Sequence, residues 1–286
     1  MLTKIKVVTD STSDIPQELA DQLGITMIPL NVIFSEDEVY QDGVTLTSKQ
    51  FYEKISNEDT IPSTSQPTPY QFEELYRDLL NEEDVIILSI HLSSKMSGTY
   101  QAAMIAKQSL EESERIHVID SKRASYAIGI IVVEVANMVQ EGRSLEQCLE
   151  RLDALLKETT VYFLVDTLEF LQKNGRIGKA SAMIGSLLKI KPILSLTEEG
   201  EVCPYEKVRG QKKAINRIMD ALTEQYGKDR IHIGVSHAVN DQLAAELMER
   251  MKVEFNVVSY VLTDIGAVIG AHVGPGTVAL SVTKAE

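Results

Sequence analysis

Hydroxyls, a few histidines and some glycine-rich turns are the residues of this chain whose types and spacing could do chemistry. Residues 234–238 read Gly-Val-Ser-His-Ala, behind an apolar run and ahead of a helical one. This comes close to the G-x-S-x-G pattern of a nucleophile elbow, with alanine in the last place. Asp264 and His272 follow Ser236 in the Ser…Asp…His order of an α/β-hydrolase, although the serine comes late and few strands remain after it. Two hydroxyl-rich loops offer a different chemistry. Residues 62–69, Pro-Ser-Thr-Ser-Gln-Pro-Thr-Pro, precede a helical pattern, and residues 93–99, Ser-Ser-Lys-Met-Ser-Gly-Thr, lie between a strand ending near His91 and the next helix.

Ligands of open α/β sheets bind outside the carboxyl ends of the strands. A helix N-terminus there supplies unpaired N–H groups and the positive end of a dipole. With serine and threonine donors added, such a place suits a single carboxylate, which accepts several hydrogen bonds without an arginine or lysine. The same residues equally suit helix capping alone. A third element, residues 266–276, reads Gly-Ala-Val-Ile-Gly-Ala-His-Val-Gly-Pro-Gly. Its glycines allow close backbone approach, and His272 could bond a carboxylate or shuttle a proton. A tight turn with a packed histidine is the alternative.

Several chemistries have no support. No G-x-x-x-x-G-K-[ST] occurs, and the first strand runs into Thr9-Asp10-Ser11-Thr12-Ser13 rather than a glycine-rich turn, so neither nucleotide motif is present. The five histidines show no H-E-x-x-H spacing, and His91, His117 and His232, in or beside strands, read as structural. Two cysteines, Cys148 and Cys203, give no support to a disulfide framework or a Cys-rich zinc site and fit a reducing cytoplasm. Net charge is −14, which disfavours nucleic acid. Residues 170–217 nevertheless carry +6, leaving −20 on the rest. A solvated basic face accounts for this, as does docking of an acidic partner or a phosphate.

The elements that must position these residues follow from periodicity. In the first half, strand-like runs at residues 5–8, 25–34, 85–90 and 116–119 alternate with helical patterns at 16–24, 47–55, 70–80, 97–110, 126–140 and 145–157. Ser13-Asp14 offers the first helix a cap. Strands separated by helices predict a mostly parallel α/β sheet. The second half predicts strands at residues 161–165, 193–196, 202–208, 231–235, 257–262 and 277–282, with Glu199-Gly200 as a hairpin turn and Pro204 marking an edge strand. Helices are expected at residues 168–173, 180–188, 211–226 and 242–251. The expectation is an α/β chain of two domains, 1–158 with the parallel sheet and 159–286 as an α+β domain with a mixed or antiparallel sheet, joined near Glu158-Thr159. Length supports two cores. Asp264, His272 and Pro275 interrupt the most apolar stretch, residues 261–282, so no transmembrane segment is expected there. The N-terminus moves straight into a strand-like run without a signal-peptide pattern, which favours a cytoplasmic location.

Five segments together resemble the DegV family: residues 8–14 (Val-Thr-Asp-Ser-Thr-Ser-Asp), 64–67 (Thr-Ser-Gln-Pro), 94–99 (Ser-Lys-Met-Ser-Gly-Thr), 175–180 (Gly-Arg-Ile-Gly-Lys-Ala) and 270–276 (Gly-Ala-His-Val-Gly-Pro-Gly). They span nearly the whole chain in family order. The resemblance implies a two-domain carrier of one long-chain fatty acid, its tail buried and its carboxylate held by polar side chains. It also implies a bacterial, cytoplasmic, non-enzymatic role in phospholipid metabolism, as the lipid-carrier subunit of a fatty acid kinase whose ATP-dependent catalytic subunit is a separate chain. Carried onto this sequence, it makes Ser65 and Ser97 direct carboxylate donors, with the Gly98 N–H assisting, Thr64 able to exchange roles with Ser65, and His272 completing the network. Arg176 and Arg209 would serve phosphoryl transfer or kinase docking, since arginine suits a bidentate phosphate contact. The small-residue segment 180–188 would line the tail tunnel or serve close helix packing. No cofactor or metal is implied. The alternatives are a stand-alone lipid hydrolase using Ser236 and a regulatory protein that senses acyl chains.

Overall fold

A computed structural model describes residues 4–58, 60–184 and 191–286. Strands β1 (Lys4–Asp10) and β2 (Ile25–Ile28) are followed by β3 (Asn31–Ser35), β4 (Glu38–Gln41), β5 (Ser63–Ser65), β6 (Val85–His91) and β7 (Ile116–Asp120). Four of these make a parallel sheet in the order β2-β1-β6-β7. Strand β6 is buried along nearly its whole length, which is why its sequence, VIILSIH, is an apolar run rather than an alternation. One face is covered by α3 (Pro69–Leu80) and α4 (Thr99–Ser109), whose Phe72, Tyr76, Ala102, Ala103 and Ala106 pack on Val8, Val85 and Ile87. Thr68 caps α3 through a capping box with Gln71, and Thr47 accepts from Gln50 N (3.3 Å) at the start of α2 (Ser48–Glu58).

The second sheet contains β8 (Thr160–Leu164), β9 (Lys191–Leu196), β10 (Val202–Val208), β11 (Arg230–His237), β12 (Asn256–Asp264) and β13 (Val278–Lys284). Its order is β10-β9-β8-β13-β11-β12, with β11 and β12 parallel and the other neighbours antiparallel. The mixed sheet and the β9–β10 hairpin agree with the sequence. Pro204 sits on the edge strand β10, where the register shifts and a missing N–H is tolerated. Helices α8 (Gln211–Tyr226) and α9 (Asp241–Glu254) pack on the face presented by Ile231, Ile233 and Val235.

Between the sheets lies α5 (Tyr126–Gln140), which touches β1 and β6 on one side and β11 and β13 on the other. Burial on both sides explains why YAIGIIVVEVANMVQ is apolar almost all round, whereas α6 (Leu145–Glu158) keeps a single buried stripe. The chain passes from α6 through Thr159 into β8, while one apolar cluster runs from Ile5 to Ala271 and includes residues of both halves.

Three expectations need correction. The extended run at residues 25–34 breaks around Pro29: β2 stays in the parallel sheet, and β3 leaves to pair with β4 and β5 in a small antiparallel sheet that periodicity did not reveal. Ser13-Asp14 caps no α-helix. Residues Ser11–Ser13 form a 3-10 turn capped by Asp10, Asp14 turns left-handed (φ 51°), and α1 (Gln17–Leu23) begins behind Pro16. The helix expected at residues 180–188 is, where described, a 3-10 turn, Gly178–Met183; residues 185–190 lie outside the described part. Gly178 holds a positive φ against the Val202 carbonyl, which bends this stretch toward β10.

Candidate functional site

A cavity opens where the carboxyl ends of β6 and β7 meet the inner face of the mixed sheet. About 840 Å³ of space between atoms, open solvent at its mouth included, lies within it. Each wall follows from local structure. The loops after β6 and β7 give Leu92, Met96, Ser97, Ala124 and Ser125, and the mixed sheet gives Val161, Phe163, Leu196, Val202 and Ala279. The short helix α10 (Ala267–Val273) adds Val268, Ile269, His272 and Val273, and Leu171 of α7 (Glu169–Lys173) completes that side. The lining is therefore mostly aliphatic, with polar groups gathered in a few places.

The main polar place is the pair Thr64–His272. Strand β5 sets Thr64 beside Val32 of β3, and its Oγ1 lies 2.9 Å from His272 Nε2. The other ring nitrogen, Nδ1, is buried with no hydrogen-bond partner among the described residues. Burial, and the positive charge of Arg176, push the His272 pKa down to about 4, so the ring is neutral at physiological pH. A neutral ring can donate from one nitrogen and accept at the other, so the Thr64–His272 pair can take either hydrogen-bonding role. Ser97 also lines the cavity; its Oγ is 2.9 Å from Thr99 Oγ1 and accepts from Thr99 N at 3.3 Å, so it serves the start of α4 at the same time.

The structure brings Thr64, Ser97, His272 and Arg176 to one cavity and leaves the other candidates outside it. Ser65 follows Thr64 in a strand, so its side chain points to the opposite face, where its Oγ accepts from Asn31 Nδ2 at 3.2 Å. Gly98 is the N-cap of α4 and lies under the Gln66 amide, which would be 2.9 Å from a Cβ at that position. Arg176 is exposed at the mouth, donating from Nε to the Met96 carbonyl (3.1 Å) and from Nη1 to the Asn174 carbonyl (2.6 Å). Arg209 is exposed just before α8 and does not line the cavity.

Two participants escaped the sequence reading. Gln66 lines the cavity beside Thr64. Asn174 ties the mouth together, donating from Nδ2 to the carbonyls of Pro62 (3.1 Å) and Ala271 (2.8 Å). Both stood inside or beside the motifs quoted, but an amide in a loop carries no spacing signal. Also unforeseen is a fully buried chain of polar side chains. Tyr76 OH lies 2.8 Å from Ser89 Oγ, Ser89 Oγ 2.6 Å from His91 Nε2, and His91 Nδ1 3.0 Å from Asp10 Oδ2. It has the composition of a Ser-His-Asp triad, yet all four side chains are inaccessible. Asp10 Oδ2 also accepts from Leu92 N (3.0 Å), which pins the start of the loop that carries Ser97.

The hydrolase reading does not survive the geometry. Ser236 lies within regular β11, paired with Thr263 and Ala279, and its φ is not positive as a strained elbow would require. Its Oγ is 3.1 Å from Ser125 Oγ. His272 is engaged with Thr64, and Asp264 faces His237 at 3.7 Å. Gly234, the first glycine of the pattern, has a packing role: a Cβ there would sit 2.0 Å from the Tyr126 ring of α5.

A parallel sheet and a mixed sheet thus flank a mostly aliphatic cavity that His272, Thr64, Ser97 and Ser125 also line. The chain belongs to the DegV family: the model of that family of uncharacterised proteins matches residues 4–285. Protein DegV of Bacillus subtilis is 38% identical over 278 residues, covering 96% of this chain and 98% of that one. A fatty acid-binding protein of Thermotoga maritima is 34% identical, with 99% of each chain covered. Among solved structures, a fatty-acid-binding DegV family protein from Thermus thermophilus superimposes with a TM-score of 0.92 at 37% identity, covering 99% of this chain and 100% of that one. A stearic acid-binding protein from Eubacterium ventriosum gives 0.89 at 25% identity, with 98% of each chain covered. No helix among the described residues is long and apolar enough to cross a membrane.

Proposed function

We propose that this chain is a carrier for one long-chain fatty acid, with the acyl tail in the cavity between the sheets and the carboxylate at Thr64, Ser97 and His272. The observation that carries the proposal is the combination of an aliphatic cavity with an unused nitrogen on the neutral His272 ring. The fatty-acid-binding relatives point the same way. Affinity comes from the tail: at roughly 0.8 kcal/mol per buried CH₂, about fifteen methylenes gross on the order of 12 kcal/mol before the costs of association. Hydrogen bonds to the carboxylate orient the head group more than they retain the molecule.

The carrier presents its cargo in the cytoplasm to a separate ATP-dependent kinase, which converts the carboxylate to an acyl phosphate. Two features favour this reading over an enzyme acting alone. The sequence contains no phosphate-cradling P-loop. Arg176 stands exposed at the mouth, where a guanidinium neutralises charge during phosphoryl transfer or pairs with an acidic partner. Arg209, exposed among Lys207, Lys212 and Lys213 and outside the cavity lining, adds basic surface. Native mass spectrometry of the purified protein, followed by organic extraction, tests the proposal. One long-chain fatty acid per chain supports it; an empty protein that also refuses added fatty acid removes it.

A further inference from the structure

We infer that Asp14 and Asp42 are positioning residues for the carboxylate site, acting through α10: from the turns that follow β1 and β4 they grip the first turn of the helix that carries His272. The inference rests on the site proposed above, but the geometry stands by itself. Gly266 N donates to Asp14 Oδ1 at 2.9 Å, and Ala267 N donates to Asp42 Oδ1 at 2.9 Å. These are the N-cap and first residues of α10, which has no side-chain cap of its own. The N–H of the fully buried Ala267 would otherwise be left without a partner, and that is costly. Both carboxylates are almost completely buried.

Asp14 is held through its side chain and Asp42 through its backbone, its Oδ2 having no hydrogen-bond partner among the described residues. Asp14 holds a left-handed backbone (φ 51°), a conformation aspartate tolerates better than most residues. Ser125 Oγ donates to Asp14 Oδ2, and Thr263 Oγ1 donates to the Asp14 carbonyl at 3.0 Å. Asp42 N donates to the Leu30 carbonyl at 2.9 Å, so this carboxylate is placed by the β3–β4 region. Gly266 fits between the two: a Cβ there would stand 2.9 Å from Asp14 Oδ1 and 3.3 Å from Asp42 Oδ1. Tyr52 OH adds a third hold on the Ile265 carbonyl at 3.1 Å.

The consequence is local to the site. Helix α10 has only seven residues, so its first turn fixes the placement of its last. Val268, Ile269 and His272 all face the cavity, and Gly270 packs so closely on α2 that a Cβ would meet Tyr52 OH at 2.6 Å. Sliding or unwinding the first turn therefore carries the His272 ring away from Thr64. Burying two carboxylates without a cation among their hydrogen-bond partners is expensive for the fold, and burial raises the pKa of both. Retaining them makes sense where hydrogen-bond acceptors at fixed places are needed.

The test reads the histidine directly in lipid-free protein, by following the His272 ring signals in NMR through a pH titration. Asp42→Ala and Asp14→Ala are each compared with the isosteric Asn variant, which keeps an acceptor oxygen. The Ala variants should move the His272 midpoint from about 4 toward the ordinary histidine value as the ring leaves its buried place. The Asn variants should hold it near the wild-type midpoint. With a fluorescent long-chain fatty acid as probe, affinity should fall about tenfold in the Ala variants, the worth of about one hydrogen bond to the helix N-terminus, and recover with Asn, which keeps the acceptor oxygen. An unmoved His272 midpoint in folded Ala variants overturns the inference. If the Ala variants do not fold, hydrogen exchange in the wild-type protein decides. Gly266 and Ala267 amides that exchange as slowly as those of Gly270 and Ala271 support the grip, and rapid exchange at the first two overturns it. Protein that binds no fatty acid but shows the expected His272 titration would defeat the carrier reading and leave the positioning role intact.

Discussion

Two clusters of hydroxyls and a histidine stand near the carboxyl end of the parallel sheet, and their difference separates architecture from binding. In the first, Tyr76, Ser89, His91 and Asp10 satisfy one another completely and no atom reaches a cavity. In the second, Thr64 engages one nitrogen of His272 and the other is left unused beside an aliphatic hollow. By composition the first resembles a catalytic triad far more than the second does. What distinguishes them is satisfaction: a saturated, water-excluded network rigidifies, while a preorganised polar atom without a partner at a cavity is available to a ligand.

The sharpest way to break this contrast is Asp10→Ala. It strands His91 Nδ1 and the Leu92 N–H inside the core, and removing one partner of a buried polar pair costs on the order of 3 kcal/mol. Denaturant unfolding should register that loss, while the folded fraction still binds fatty acid. A variant as stable as wild type would show that the saturated cluster is not structural.

The pH dependence of stability distinguishes the two regions further. His272 has a pKa of about 4 in the fold against 6.5 in the unfolded chain. Between those values the unfolded state binds more protons, so the stability from the neutral ring is complete above 6.5 and is lost as pH falls toward 4. Asp42 behaves oppositely, with a pKa of about 6 in the fold against 3.8. Its contribution is complete below 3.8 and is lost as pH rises through 6. Each spans about 3 kcal/mol and the two oppose each other over pH 4 to 6, while Asp14, also raised by burial, acts in the same direction as Asp42. Relative to wild type, unfolding free energies from pH 4 to 7 should therefore tilt downward toward acid in Asp42→Asn and upward toward acid in His272→Gln. Parallel curves for all three proteins would contradict these burial assignments.

The smallest expected effect concerns neighbouring hydroxyls. Ser97→Ala should weaken fatty acid binding by a few-fold, the worth of about one neutral hydrogen bond, whereas Ser65→Ala should leave it unchanged because that side chain faces Asn31. Equal losses measured by fluorescent fatty acid displacement would show that the strand's alternation does not decide which hydroxyl meets the ligand.

Much of this was legible without coordinates because it depends on short-range rules. The apolar run of β6 marked a strand covered on both faces, Thr68-Pro69 marked the start of α3, and Glu199-Gly200 with Pro204 marked a hairpin at a sheet edge. The motifs around Thr64, Ser97, Arg176 and His272 were visible as residue types in loops ahead of helices. Periodicity and turn chemistry are local, so sequence by itself determined those elements and the candidate groups.

Tertiary structure alone decided how the groups were used. Glycine 234 looked like part of an elbow because a sequence cannot tell a glycine needed for a turn from one cleared for the ring of Tyr126. Whether Thr64 or Ser65 faces the cavity depends on which side of β5 is covered, and that is set by pairing with β3 and by α10, about 200 residues further along the chain. The alliance of Asp14 and Asp42 with the first turn of α10 joins groups more than 220 positions apart. Such contacts obey no spacing rule. They exist because a buried backbone N–H must find an acceptor, and only the folded chain determines which acceptor is there.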